Sequence, residues 1–371
     1  MFSPGTPLAH HAAMSRRLRQ AILFLSICSL IVALAHCGSR STSDQERRSP
    51  YPRVEPNGAI RGESNFARLI NSYSEGQANP APWAGYWWSY ATNGTSAAEQ
   101  KYESATGRTG AYAWEMQHHS ATASGIQPWW GHCNGWTAAS VLFHEPTQPK
   151  TINGVEFSVG DQKALLSEVA MEVNADFFGR RNDDDNPTDP TFEDIFPDQF
   201  FLVLTNFLGN GLPVIMDRYT GSQVWNQSLA GYKILPIGPF NILPPNPATP
   251  DITRVDLTTT VWWARDDVAP DAVSVPFDFT DSASYQSRTY EYEVWLDGPI
   301  QFDSDGKIAS SGNVVLTRNG ATVEGGDWKT SNVNPSESHP DYLWVAHSIT
   351  PSTGFANPAL DSSWVTRYFG N

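Results

Sequence analysis

Cysteine is scarce in this chain, with three in 371 residues. Cys28 and Cys37 fall within or at the end of its one sustained apolar run. The body therefore keeps Cys133 alone, and no internal disulfide framework is available. Positive charge is also in deficit: 24 Lys and Arg stand against 39 Asp and Glu, a formal net charge of −15. That balance excludes the basic footprint on which nucleic-acid binding depends. Long hydrophobic runs are missing too. Ala21 to Ala35, about 15 residues after Arg16, Arg17 and Arg19, is too short for a comfortable membrane span and has the charge order of a secretory signal. Its end, Leu34-Ala35-His36-Cys37, resembles a bacterial lipobox, which would place a lipid on Cys37, although His36 stands where that motif carries a small residue. No internal repeat is present. The acidic runs Asn182 to Asn186 and Asp303 to Gly306 lack the twelve-residue ligand pattern of a calcium loop and read as a solvated loop and a tight turn. No metal and no cofactor are expected.

What the chain has is aromatic bulk and turn formers. It carries 14 Trp, 13 Tyr and 18 Phe in a 40% hydrophobic composition, with 27 Pro and 28 Gly, as befits a globular fold with many turns. Helical periodicity marks Asn65 to Tyr73, Ala97 to Glu103, Gly160 to Val173 with Asp161 as N-cap, and Phe200 to Gly209. Leu212 to Tyr219 and Val224 to Ile234 flank Thr220-Gly-Ser-Gln223 as a hairpin. Beyond the Pro-rich stretch 243–250 the pattern alternates, in Thr253 to Trp263, Arg288 to Leu296 and Asn313 to Thr317. The class expected is α+β with a β-rich C-terminal half.

Gly125-Ile-Gln-Pro-Trp-Trp-Gly-His-Cys-Asn-Gly-Trp136, followed by Thr137-Ala-Ala-Ser140, reads as a thiol at the start of a helix. A helix N-terminus favours the thiolate through its unpaired N–H groups and dipole, and the same groups can hold an oxyanion. Gln127, six residues ahead of Cys133, is the side-chain donor that would complete an oxyanion hole. This Gln-to-Cys spacing resembles the active-site segment of papain-like cysteine peptidases and transglutaminases. A thiol of this kind needs a general base and a group to orient it. His339, with Asp341 two residues on across Pro340, is the base and orienter chosen, and His347 is the second choice. His132 adjoins the thiol, but neighbours at a helix start seldom point the same way.

Val224-Trp-Asn-Gln-Ser-Leu-Ala-Gly-Tyr-Lys-Ile234 closely resembles the peptide Val-Trp-Asn-Gln-Pro-Val-x-Gly-Tyr/Phe-Lys-Val of the oomycete transglutaminase elicitors, departing at Ser228 and Leu229. The resemblance runs from about Asn65 to the C-terminus and takes in Trp130 to Trp136. It implies acyl transfer from a protein glutamine to an amine through a Cys133 thioester, on a papain-like core, with glutamine- and lysine-bearing proteins or peptides as partners. In papain-like folds the base histidine occupies the slot where this chain has Trp225, Asn226 and Gln227. The resemblance then leaves Asn226 to orient a histidine and Trp225 to cover the thioester. The signal, the polar and Pro-containing stretch after it and the extent of the resemblance divide the chain into signal (1–37), tether (38–62) and catalytic domain (63–371, with 250–371 its β-rich portion), and the protein is expected to be secreted or held at the cell envelope. Two rival readings remain: a papain-like peptidase or amidase with the same thiol, and a secreted surface protein without a working triad.

Overall fold

The computed structural model describes residues 53–54, 60–179, 195–235, 241–243, 252–316, 325–329 and 339–371. The signal, most of the tether and the acidic run 182–186 lie outside the described residues. Residues 51–371 form one unit around a nine-stranded sheet. Its strands are β1 (Glu75–Gln77), β2 (Val173–Gly179), β3 (Val214–Asp217), β4 (Asn226–Leu235), β5 (Asn241–Leu243), β6 (Thr253–Ala264), β7 (Tyr285–Leu296), β8 (Gly326–Trp328) and β9 (Tyr342–Ile349). The order is β8-β7-β6-β4-β3-β9-β2, with β1 also on β4 and β5 also on β6, and every pairing is antiparallel. The α+β class with a β-rich C-terminal half is thus what the chain adopts.

The long β6 and β7 pair from Thr253↔Leu296 to Ala264↔Tyr285, as their β-branched and aromatic alternation predicts. Since β6 also pairs with β4, from Thr258↔Leu235 to Trp263↔Leu229, the C-terminal strands extend the same sheet as the hairpin. That hairpin forms as expected, Val214 opposite Leu229 and Asp217 opposite Asn226. Asn313 to Thr317, expected as a strand, makes only the single bridges Asn313↔Asn65 and Val314↔Leu296, and Thr317 is outside the described residues. Asp303 to Gly306 is a tight turn, the Asp303 carboxylate accepting the N–H of Asp305 and of Lys307 at 2.9 Å.

Among the described residues the α-helices are α1 (Phe66–Tyr73), α2 (Ser96–Thr106), α3 (Ala111–His118), α4 (Cys133–Leu142), α5 (Val159–Val169), α6 (Pro197–Asn206) and α7 (Ser362–Phe369). Helix α5 starts earlier than the sequence suggested. Ser158 is its N-cap, accepting from the Asp161 N–H at 3.2 Å, while Asp161 reaches back to the Ser158 N–H at 2.7 Å. This is a capping box, with the acid in the third helical position rather than at the cap.

Strand alternation sorts the core into two layers. Leu343 and Val345 of β9, with Val214 and Met216 of β3, pack with α6, all of whose residues are buried. Tyr342, Trp344 and Ala346 of β9, with Ile215 of β3, face the other way, onto Trp136, Ala138 and Ala139 of α4 and Leu165 and Leu166 of α5. Burying a side chain of this size contributes about 1.5–3 kcal/mol, so each layer is tightly held. The layer a residue enters decides what it can reach.

Candidate active site

Cys133 is the first residue of α4. The turn that delivers it is anchored by the His132 N–H on Trp87 O at 2.7 Å and by the Trp136 N–H on His132 O at 2.8 Å. Its thiol points to Val224 O at 3.8 Å, the first residue of the peptide that carries the family resemblance. Burial pushes the thiol up to about 12; the Asn226 and Asn134 N–H groups work the other way, and the Asp217 and Asp266 carboxylates add to the rise. The helix N-terminus does favour the thiolate, as the sequence reading argued, but burial and two acids outweigh it. Iodoacetamide alkylation of Cys133 is therefore expected to rise about tenfold per pH unit up to about pH 11, since only the thiolate reacts, and Asp217→Asn should speed it at fixed pH. A plateau near pH 8, from kinetics followed by mass spectrometry, would sink this account of the thiol.

The wall opposite the thiol is built by the turn into β4. Asp217 accepts the Trp225 N–H at 2.9 Å and the Tyr219 N–H at 3.2 Å. The Trp225 indole donates to Gln223 Oε1 at 3.0 Å and lies 5.9 Å from the Trp87 ring, with the Arg218 guanidinium 5.7 Å from its centre. Asn226 is buried, its Oδ1 accepting from the Trp344 indole at 2.9 Å. Gln227 donates to Asp266 at 2.9 Å, and burial holds the Asp266 carboxyl above its usual range. Gln127 is exposed in the turn ahead of Cys133, its carbonyl accepting the Trp130 N–H at 3.1 Å.

The histidines are distributed differently. His339 stacks on Trp328, ring centroids 5.2 Å apart, and Trp328 packs against the α6 layer. Burial holds His339 neutral, pushed down to about 4. Asp341 is buried beside it in sequence, its N–H on Asp217 O at 3.0 Å. His347 bonds Asp176 at 2.8 Å; five residues along β9 from Tyr342, which is the Asp217 partner, it stands about 17 Å down the strand. The structure thus gathers Cys133, Trp225 and Asn226 at one place, with Asp217 and Asp266. It sets His339 among the residues of the α6 layer and His347 at the far end of β9.

One constellation escaped the sequence reading. Glu115 of α3, His119 at that helix's C-cap, His132 at the start of α4 and Glu168 of α5 converge, all buried. His132 Nε2 lies 2.5 Å from Glu168 and 3.4 Å from Glu115, and His119 Nδ1 lies 2.9 Å from Glu115 and 3.9 Å from Glu168. Burial alone would lower the His132 ring, yet the two glutamates outweigh it and raise it to about 9. Only Glu115 and His119, four residues apart, leave a trace in the sequence, and that trace is common on helices.

A half-buried cysteine at a helix N-terminus, facing an antiparallel sheet across a peptide turn, defines the class: an α+β protein with a thiol site. Residues 114–242 match the profile of the transglutaminase elicitor family, a stretch that includes both Cys133 and the Val224 to Ile234 peptide, and the family resemblance read from the sequence is thereby shown. The fold is similar to the crystal structure of the GP42 transglutaminase from Phytophthora sojae, with a TM-score of 0.58 and 19% identity over 82% of this chain and 92% of that one. No curated protein matches in sequence. Among the described residues, no helix is long and apolar enough to cross a membrane.

Proposed function

We propose that this chain is an exported protein-glutamine γ-glutamyltransferase on a papain-like core, with Cys133 as nucleophile. The observation that carries the reading is the position of the thiol: first residue of α4, against Val224 at the head of the family peptide. Sγ attacks the glutamine carboxamide carbon, ammonia leaves, and an amine, usually a lysine side chain, resolves the thioester to an isopeptide bond. The N–H groups of Asn134 and Asn226, which already act on the sulfur, are the donors for the oxyanion, and Gln127 is a third donor if its turn folds inward. Each such donor is worth about 2.7–4 kcal/mol of barrier. Trp225 and Trp87 shield the thioester from water, the competing nucleophile.

The acidic pair suits an amine acceptor. A cationic substrate brought between Asp217 and Asp266 would offset both carboxylates, removing part of what holds the thiol protonated. His339 can serve as base only by leaving its stack on Trp328. Its role with Asp341 therefore depends on a rearrangement, as would that of His347.

The raised thiol favours a second reading, a surface protein that keeps the fold without the chemistry. Incorporation of a labelled primary amine into casein separates the two. The parent is expected to incorporate it and Cys133→Ala to lose all of it; ammonia release without incorporation means a hydrolase, and neither means the inactive protein. His339→Ala in the same assay is expected to stay within a few-fold of the parent, whereas a base would cost roughly 10²–10⁴-fold.

A further inference from the structure

We propose that Glu115, His119, His132 and Glu168 form a closed site for a divalent transition metal, zinc by the chemistry of its donors, which pins the turn carrying Cys133. Two imidazoles and two carboxylates suit zinc, and four protein ligands with no open position make a structural rather than a catalytic site. The donor atoms all lie within 4.8 Å of one another. Four ligands at zinc bond lengths leave about 3.3 Å between neighbouring donors, and the separations of 2.5, 2.9, 3.4 and 3.9 Å fall on either side of that.

Three observations point to a cation there. First, His132 Nε2 and Glu168 Oε2 are fully buried and face each other without a hydrogen bond of good geometry. Second, His132 Nδ1 lies 3.1 Å from Trp88 O. An N–H donated to that carbonyl turns Nε2 toward two carboxylates, where either a proton or a cation must stand, and matches the outer-shell bond of metal-ligating histidines. Third, the charges balance: a divalent ion neutralises Glu115 and Glu168, whereas without it two protons must be shared among the four groups in the dry interior. The outer shell is already built. Glu115 accepts from the Thr95 N–H at 2.8 Å, Glu168 from the Asn357 N–H at 2.6 Å, and His119 stacks on Tyr90 at 4.4 Å. Glu99 stands alongside, its Oε1 accepting from the Asn357 side-chain amide at 3.0 Å, and is not among the four converging donors, so it is a control rather than a ligand.

The full chain, purified without chelator, is expected to carry one zinc per chain by inductively coupled plasma mass spectrometry. After stripping with dipicolinate it should take up Co²⁺ with the intense visible absorption of a four-coordinate ion. His119→Gln and Glu168→Gln should lose that absorption, and Glu99→Gln should keep it. Where a variant fails to fold, the parent decides: a folded parent, checked by circular dichroism, that neither carries a transition metal nor takes up Co²⁺ overturns the proposal and leaves the cluster to protons. Co²⁺ absorption that survives in folded His119→Gln and Glu168→Gln overturns it as well.

Discussion

Glu168→Ala is expected to destabilise the protein by about 3–5 kcal/mol, the cost of breaking a buried ion pair by removing one partner. Glu168 is fully buried and does two jobs. One oxygen faces His132 Nε2 at 2.5 Å, and the other accepts the Asn357 N–H at 2.6 Å. Truncation leaves His132 with Glu115 alone, at 3.4 Å, and strands a buried backbone N–H as well, whose desolvation costs about 1–3 kcal/mol. Glu168→Gln keeps the shape and an acceptor for Asn357 but drops the charge, so it should lose less. Urea unfolding of both variants checks the order. Equal losses would mean that charge at this position is immaterial, and a loss under 1 kcal/mol in Glu168→Ala would mean that the cluster relaxes into water.

The parts of this molecule that were legible are those whose information is local. The start of α4 follows from small residues after Cys133, and the hairpin from two β-prone runs around a Gly-Ser turn. The buried cluster was not legible, because its four members come from α3, the turn before α4, and α5, and only tertiary packing brings those elements together. The same physics governs His339. Sequence puts it two residues from Asp341, but the stacking of its flat ring on Trp328 carries it to the α6 layer. Of the thiol's character only one contribution was legible, and the net direction came out opposite. A helix N-terminus does supply N–H groups to the sulfur, yet Asp217, 84 positions on in the chain, and burial under the Trp225 turn decide the outcome. Asp161 shows the smallest error of this kind: a capping acid was recognised, and its partner Ser158 settled which of the two sits at the cap.

Gly135→Ala is expected to disable the site from a residue that touches no substrate. A Cβ at Gly135 would stand 2.2 Å from Ser167 O and 2.8 Å from Met171 Sδ. The methionine can swing aside; the Ser167 carbonyl cannot, because it belongs to the end of α5 and accepts from the Ala170 N–H at 3.2 Å. Helix α4 must then move off α5 by about 1 Å to reach ordinary contact. Overpacking of this kind costs about 1–3 kcal/mol, sometimes more. The larger effect is geometric. Cys133 lies two residues before Gly135 on the same helix, so it travels with that shift relative to Val224 and Asn226. A misplacement of about 1 Å can cost roughly 100-fold in rate. Amine incorporation should therefore fall by about that factor in protein that still unfolds cooperatively in urea. Folded Gly135→Ala with parental activity would mean that α4 tolerates the shift, and that the close approach of α4 to α5 does not position the thiol.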